Sequence, residues 1–586
     1  MDENQPPSSA PKDLPDATRR TFLKRLGIGV AGAATLGAAG VAIGSAVTGP
    51  RKPLTFEDEE SDPTKAFDHV VVVMFENRSF DNVLGWLYKP TEVPAGSSFD
   101  GLHQGSYSNP IPGTAETIAA HVYSGSTDVV MSSPIPDPGE AYSHVNTQIF
   151  GTVDPESNRD LHKNGLSAPY NAPSPGQKPT MSGFVEDYII NYEALAKGAR
   201  TPTKAEFSLA MGGFSPEMLP VFSALAKEFA VFDHWFGAVP SQTYCNRSFF
   251  HASTSNGFVT NRGNGGYEKW FDPQRSAAPT IFNRLTDEGL DWRVYYDKAQ
   301  LISLTGMMHA TATQKYWKTN FRTMEQFYLD VAEGNLPAYS FVEPRMVFNH
   351  NDMHPPYGEL QVGNNGESGV VVNAAVSDVR AGDKLLHELY TALRTSNSSM
   401  GSHALNTAML VTFDEHGGTY DHVPPPAATP PGTGEKGEMG FAFDRLGPRV
   451  PAILISAYTA RNTIINTTKH HGSLISTLTR QHGLMPLTHR DEEGSDMFDA
   501  INLTTARPLV EWPITHAAYV PADIDGELDP RAEQNKAKKL SNPAQGLLGM
   551  LITKFGDPAA PVPDSYEDAY AALTELGQGL FGTVDP

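Results

Sequence analysis

The run Phe67–Gly85 reads FDHVVVVMFENRSFDNVLG, and its centre, Val70–Phe75, is apolar at every position. A short apolar run, partly β-branched and bounded by polar residues, has the pattern of a strand buried on both faces. It ends in an acid and an amide, Glu76 and Asn77. A carboxylate directly behind such a strand must face something that repays its burial. Two further runs have the same character, Ala408–Phe413 (AMLVTF) and Val450–Ser456 (VPAILIS). All three are expected to be buried parallel strands.

Helical patterns lie between them, PEMLPVFSALAKEFA at Pro216–Ala230 and DVRAGDKLLHELYTALRTS at Asp378–Ser396. Strands spaced by helices predict an α/β fold with a mainly parallel central sheet flanked by helices. The loop-rich stretch from Asp100 to Ala210 is expected to form long excursions over one face. In an open sheet of this kind ligands bind beyond the carboxyl ends of the strands. Glu76-Asn77 follow the first strand and Asp414-Glu415-His416 follow the second, so two carboxylate-bearing strand ends offer an oxygen-rich metal site.

A third element is PSQTYCNRSFFHAST, Pro240–Thr254. Pro240-Ser241 reads as a turn and Tyr244 onward as a helix, which puts Thr243 near the positive helix end, where phosphate is well held. An ordinary helix cap is the other reading of Thr243. Asn246 and Arg247, one turn on, add an amide and a guanidinium suited to phosphate oxygens.

Composition narrows the field. The chain has 586 residues, 39% hydrophobic and 19% charged, with enough Gly (52) and Pro (46) to predict long ordered loops. A formal net charge of −23 excludes a basic nucleic-acid footprint and disfavours anionic lipid surfaces, though not zwitterionic ones. The single cysteine, Cys245, permits no intrachain disulfide. Near the start, Arg19-Arg20-Thr21-Phe22-Leu23-Lys24 and the Gly/Ala-rich run behind them resemble a twin-arginine export signal. That implies use of the twin-arginine machinery and a periplasmic or secreted product, or a membrane-anchored one if the segment stays uncleaved. The expected organisation is a signal segment over 1–50, a catalytic domain over 51–508 and an extension over 509–586 that packs on it.

In order along the chain, ENRSFDNVLG, TYCNR, NHNDMHPP, FDEHGGTYDHVPPP and LGPRVPAILIS resemble the motifs of the bacterial phosphoesterase family. That family contains non-specific phospholipases C and an acid phosphatase on the alkaline-phosphatase-like fold. The resemblance implies a divalent metal ion held by Glu76, Asn77, Asp414 and Glu415 together with Thr243, the nucleophile. It implies His354 and His471 near the phosphoryl group as catalytic histidines. Two departures stand out: Cys245 replaces the motif proline, and Glu140 stands where relatives often carry histidine, so a substrate contact could fall to Glu140 or shift to His144. Locally, His354 also reads as a structural loop histidine, Gly417-Gly418 as a turn, and His422 as the partner of a loop carbonyl.

The reading that follows is an exported, metal-dependent phosphoric ester hydrolase, phospholipase-C-like, with a phospho-threonine intermediate. A phosphomonoesterase of the same family is the alternative; a thiol enzyme using Cys245 and a non-catalytic binding protein are further ones. The expected partner is a small phosphate ester or phospholipid headgroup, with no stable protein partner. The metal's identity stays open among calcium, magnesium, manganese, zinc and iron.

Overall fold

A computed structural model describes residues 62–151, 168–262, 266–362, 369–396, 398–399, 401–521 and 528–585. The twin-arginine stretch lies outside these residues. Among those described, no helix is long and apolar enough to cross a membrane.

Eight strands form the central sheet. In chain order they are β1 (His69–Phe75), β2 (Ala230–Phe232), β3 (Trp292–Tyr296), β4 (Phe321–Thr323), β5 (Tyr339–Val342), β6 (Thr407–Phe413), β7 (Ala452–Ile455) and β8 (Thr463–Ile465), and across the sheet they run β8-β2-β7-β6-β1-β5-β3-β4. Strand β1 sits in the middle, parallel to β5 on one side and to β6 on the other. Val70 to Phe75 are all buried, because helices cover both faces, and this is why the run lacks polar alternation. The β1–β6 register is unbroken from His69 opposite Thr407 to Phe75 opposite Phe413. Glu76 and Asp414 therefore leave the sheet side by side.

The third apolar run is a strand, but not a parallel one. Strand β7 is antiparallel to both β6 and β2. A parallel return needs a crossover along the length of the sheet, usually through a helix. Residues 414–451 instead stay over the carboxyl end of β6 with only a 3₁₀ turn, Glu438–Gly440, and re-enter with Ala452 opposite Thr412.

Among the helices, α1 (Tyr142–Phe150) and α2 (Phe184–Leu195) order the excursion that looked loop-rich, and they share a small core of Val145, Ile149, Phe184, Val185 and Tyr188. Helix α3 (Pro220–Glu228) starts four residues later than expected: Pro220, lacking an N–H, takes the first helical position, where that donor is not missed. The backbone N–H groups of Val221 and Phe222 donate to Asp383 of helix α5 (Val379–Thr395), so a buried carboxylate caps one helix from its neighbour. Helix α4 spans Thr243–Ala252 and α6 spans Gly472–His482. In the tail, α7 (Asn542–Phe555) packs on helix α4: Tyr244 Oη donates to the Pro543 carbonyl at 3.2 Å, and Gly546 lies against the Tyr244 ring, where a Cβ would come within 2.2 Å of Oη.

A charge cluster ties the loop after β6 to the one after β1. Arg449 pairs with Asp81 at 3.0 Å and Asp421 at 2.9 Å, and His422 bridges Asp81 at 2.7 Å and Asp100 at 2.9 Å. His422 thus answers carboxylates rather than a loop carbonyl. Burial alone would pull its imidazole down, but Asp81 and Asp100 outweigh that and hold it up at about 9. A base raised above its unfolded value of about 6.5 stabilises the fold fully below that pH and loses the contribution as pH rises through the folded value. His422→Ala is therefore expected to cost on the order of 2–3 kcal/mol near pH 6. Melting curves taken in pH steps should show the gap to the unaltered protein narrowing above about pH 7 and smallest near pH 10. A gap constant across that range would mean that packing alone, and no charge, is lost.

Candidate active site

The two central strand ends make the floor of the site. Asn77 takes a left-handed conformation (φ 57°), which asparagine tolerates better than most residues, and its N–H donates to Asp414 Oδ1 at 3.1 Å. Arg78 N–H donates to the Glu415 carbonyl at 3.1 Å and Glu76 N–H to the Asp352 carbonyl at 2.8 Å. The loop behind β6 lies flat on the one behind β1 because Gly417 (φ 60°) permits it: a Cβ there would sit 2.1 Å from the Asn77 carbonyl oxygen. Gly418 (φ 64°) makes a similar approach to the Gly139 carbonyl. The glycine pair that read as a turn is thus a packing requirement of the site.

Helix α4 supplies the next layer. Gln242 is its N-cap residue and Thr243 its first helical residue, with Thr243 Oγ1 donating to Glu76 Oε2 at 3.2 Å. Arg247, one turn on, contacts Glu76 Oε1 at 2.6 Å and approaches Asp414 Oδ2 at 3.6 Å, while its Nη1 has no hydrogen-bond partner. Asn246 does not reach the site as expected. Its Oδ1 accepts from Val239 N at 3.1 Å and its Nδ2 donates to the Ser241 carbonyl at 2.7 Å, so both ends of the amide are spent pinning residues 239–241.

The histidines divide by their partners. Trp235 Nε1–H can only donate, so His471 Nδ1 is an acceptor (3.3 Å) and Nε2 donates to the Asp414 carbonyl at 2.5 Å. Both nitrogens are used, which makes His471 a support behind Asp414 rather than a proton donor facing Thr243. His354 Nδ1 lies 2.6 Å from the Pro355 carbonyl and must carry its hydrogen, and burial holds its pKa down at about 4. The neutral ring then offers an acceptor lone pair at Nε2, which does not fit a catalytic histidine that donates a proton. His144 pairs with Asp187 at 2.7 Å, and Asp187 in turn accepts from Gln148 at 2.7 Å. Glu140, by contrast, reaches the floor: it accepts from Asn77 Nδ2 and more weakly from Gln242 Nε2 at 3.5 Å.

Every carboxylate here is out of water, and burial is the leading cause of each upward shift. It pushes Glu76 well above the usual range, with Asp414 and Asp352 adding repulsion and Arg247 opposing. Glu415 is raised by burial and by the charge on Glu140. Glu140 is pushed to about 7 by burial and Asp414. Two members were not singled out from the sequence. Asp137 lies three residues before Glu140 and faces His354 at 3.7 Å, and Asp352 receives His350 Nδ1 at 2.8 Å and the His354 N–H at 3.1 Å. Asp137 stands three positions before Glu140 and Asp352 two before His354, so an acid within three positions of each chosen residue was the available signal.

Residues 67–485 match the model of the Phosphoesterase family. The chain is 31% identical to non-specific phospholipase C6 of Arabidopsis thaliana over 473 residues, covering 77% of this chain and 75% of that protein. It is 32% identical to non-specific phospholipase C3 of the same plant over 464 residues, covering 76% and 75%. Phospholipase C A of Mycobacterium tuberculosis is 26% identical over 350 residues, covering 53% of this chain and 60% of that protein. The chain belongs to the Phosphoesterase family.

Two substitutions check this geometry. Gly417→Ala would set a methyl group against the Asn77 carbonyl and strain a positive φ, so it is expected to reduce turnover by at least about 10-fold through displaced strand ends, at a cost of about 1–3 kcal/mol in stability. Unchanged kinetics would show that the close approach is dispensable. Cys245 is fully buried and its thiol is pushed up by burial, which removes the thiolate that a thiol enzyme needs. Cys245→Ala is expected to retain most activity, and the folded protein to resist iodoacetamide; rapid alkylation with parallel loss of activity would contradict this.

Proposed function

We propose that this member of the Phosphoesterase family, a hydrolase of phosphoric esters, is a phospholipase-C-like diesterase that works through Thr243. The observation that carries the reading is the hydroxyl itself: Thr243 opens helix α4 at its positive end, with Oγ1 3.2 Å from the buried carboxylate Glu76. The phospholipases C among its relatives support a phospholipid or similar diester as the substrate class.

The donor set fits a divalent cation. Asn77 Oδ1, Asp414 Oδ2 and Glu415 Oε1 are buried acceptor oxygens with no hydrogen-bond donor, and Arg247 is the guanidinium that pairs with Glu76 and Asp414. Glu76, Asn77, Asp414 and Glu415, with Thr243 Oγ1, would hold the ion, and oxygen donors alone suit calcium, magnesium or manganese. Bound there, such an ion lowers the pKa of a coordinated hydroxyl and offsets charge on the phosphoryl oxygens.

The chain's own residues then account for two displacements. Thr243 Oγ1 attacks phosphorus, its proton directed at Glu76 Oε2, and an Oγ1–P bond forms as the ester P–O bond breaks. The alcohol leaves with the electron pair and takes a proton from water. A water molecule next attacks the same phosphorus, its proton neutralising the hydroxide left when the alcohol was protonated; the Thr243 Oγ1–P bond breaks, and Glu76 returns the first proton to Oγ1 as the phosphorylated headgroup departs. The α4 amino end and Arg247 Nη1 supply positive charge to the phosphoryl oxygens. His471 acts by holding the Asp414 backbone in place. Export by the twin-arginine route belongs to the same reading and rests on Arg19-Arg20 and their flanks.

Thr243→Ala is expected to lose about 10³-fold or more in kcat while retaining its circular dichroism and its bound metal. Mass spectrometry of the unaltered enzyme, acid-quenched during turnover of a phosphocholine ester, should find a phosphocholine group esterified to Thr243. Near-normal activity of the variant would end the assignment, and a simple phosphate monoester hydrolysed faster than the phosphocholine ester would move the enzyme to the monoesterase class. Glu76→Gln keeps shape and one acceptor oxygen but removes the charge, so metal affinity should fall and excess metal should restore part of the rate. A variant with unchanged affinity and no rescue would remove Glu76 from the metal site and leave it only the role of accepting the Thr243 proton.

A further inference from the structure

Asp137, Glu140 and His354 make a second corner of the same cleft, and their arrangement is incomplete as it stands. All three are buried, and one donor atom from each lies within 4.8 Å of the other two. The Pro355 carbonyl fixes the hydrogen of His354 on Nδ1, so the neutral ring turns its bare Nε2 towards Asp137 Oδ2, 3.7 Å away. Two acceptors facing each other out of water repel unless a cation or a proton lies between them. His354 Nε2 and Asp137 Oδ1 have no hydrogen-bond partner, and Glu140 Oε1 has only the long contact from Gln242.

The wider charge count points the same way. Six buried carboxylates gather here, those of Glu76, Asp137, Glu140, Asp352, Asp414 and Glu415, and two buried guanidiniums, Arg78 and Arg247, stand among them. One divalent ion leaves half of the excess uncompensated. The contrasting group Asp81, Asp421 and His422 has equally close donor atoms, but Arg449 and a charged His422 already fill it.

We infer that Asp137, Glu140 and His354 form a second divalent-cation site, and that its mixed oxygen and nitrogen donors select a transition-metal ion such as Mn²⁺ or Zn²⁺ over Ca²⁺. A carbonyl-bound Nδ1–H with Nε2 left to the metal is the arrangement that orients ligating histidines generally. The inference rests on the proposed reading only in placing a first ion nearby, since the two donor sets share no residue. Asn77 links them: its Oδ1 belongs to the first set while its Nδ2 donates to Glu140. A cation in this corner would supply a second Lewis acid to the phosphoryl group or the departing oxygen.

The test is a count. The full-length protein, freed of metal with a chelator, is titrated with Mn²⁺ while the free ion is followed by electron paramagnetic resonance, and folding is checked by thermal melts. Two Mn²⁺ per chain are expected for the unaltered protein and one for Asp137→Asn, for His354→Gln and for Glu76→Gln. Combining Asp137→Asn with Glu76→Gln should leave none. If Asp137→Asn does not fold, His354→Gln carries the result. A single ion that both Asp137→Asn and His354→Gln retain would overturn the inference and leave the Glu76 site standing, with His354 in a protonated ion pair. Two ions retained in both variants would overturn it as well. A single ion lost in Asp137→Asn but kept in Glu76→Gln would uphold this site and overturn the reading at Glu76. No binding at all would overturn both.

Discussion

The structure depends on an unbroken parallel register between two doubly buried strands. Because Phe75 lies opposite Phe413, the next residue of each strand emerges at the same height, and each is an acid. Nothing in the sheet can move one carboxylate without moving the other. Two like charges out of water are costly, since each loses its hydration and repels the other. The neighbouring elements are therefore organised around relieving that charge. Helix α4 brings Arg247 and Thr243 to Glu76, and His471 steadies the Asp414 backbone from behind.

Two acidic gatherings flank this edge of the sheet, and they differ in how they are satisfied. Around Asp81 and Asp421 the protein supplies its own cations, Arg449 and His422, and hydrogen bonds join each partner. Around Glu76, Asp414 and Glu415 it supplies less positive charge and leaves acceptor oxygens without donors. The first pattern holds two loops together; the second leaves room for ligands. Proximity of acids alone does not separate a structural cluster from a reactive one, whereas the inventory of donors and cations does.

Much of this was legible along the chain, and the reasons are physical. A strand buried on both faces is apolar throughout, so Val70–Phe75 and Ala408–Phe413 were visible, and the polar residues behind them marked the strand ends. Val450–Ser456 was visible as a strand but not in its direction, which is set by how residues 414–451 travel rather than by composition. Asp378–Ser396 was bounded almost to the residue because its cap is local: Asp378 accepts from Arg380 N–H. What stayed hidden was partnership across long separations. Asn246 looked free for phosphate because its partners are backbone groups of the preceding loop. His471 looked catalytic because Trp235, which occupies its Nδ1, is 236 positions away. Asp137 and Asp352 were passed over because their roles come from residues folded onto them from elsewhere.

The grip of helix α7 on Tyr244 has a consequence in time. Tyr244 follows Thr243 directly, and its hydroxyl and ring are seated on Pro543 and Gly546, about three hundred residues downstream. Synthesis proceeds from the amino end, so the sheet, the strand-end acids and Thr243 all leave the ribosome before that seat exists. Helix α4, which carries Thr243, acquires that support only after about three hundred further residues have been made. A nascent chain thus holds the sheet and its strand-end acids well before helix α4 is fully seated.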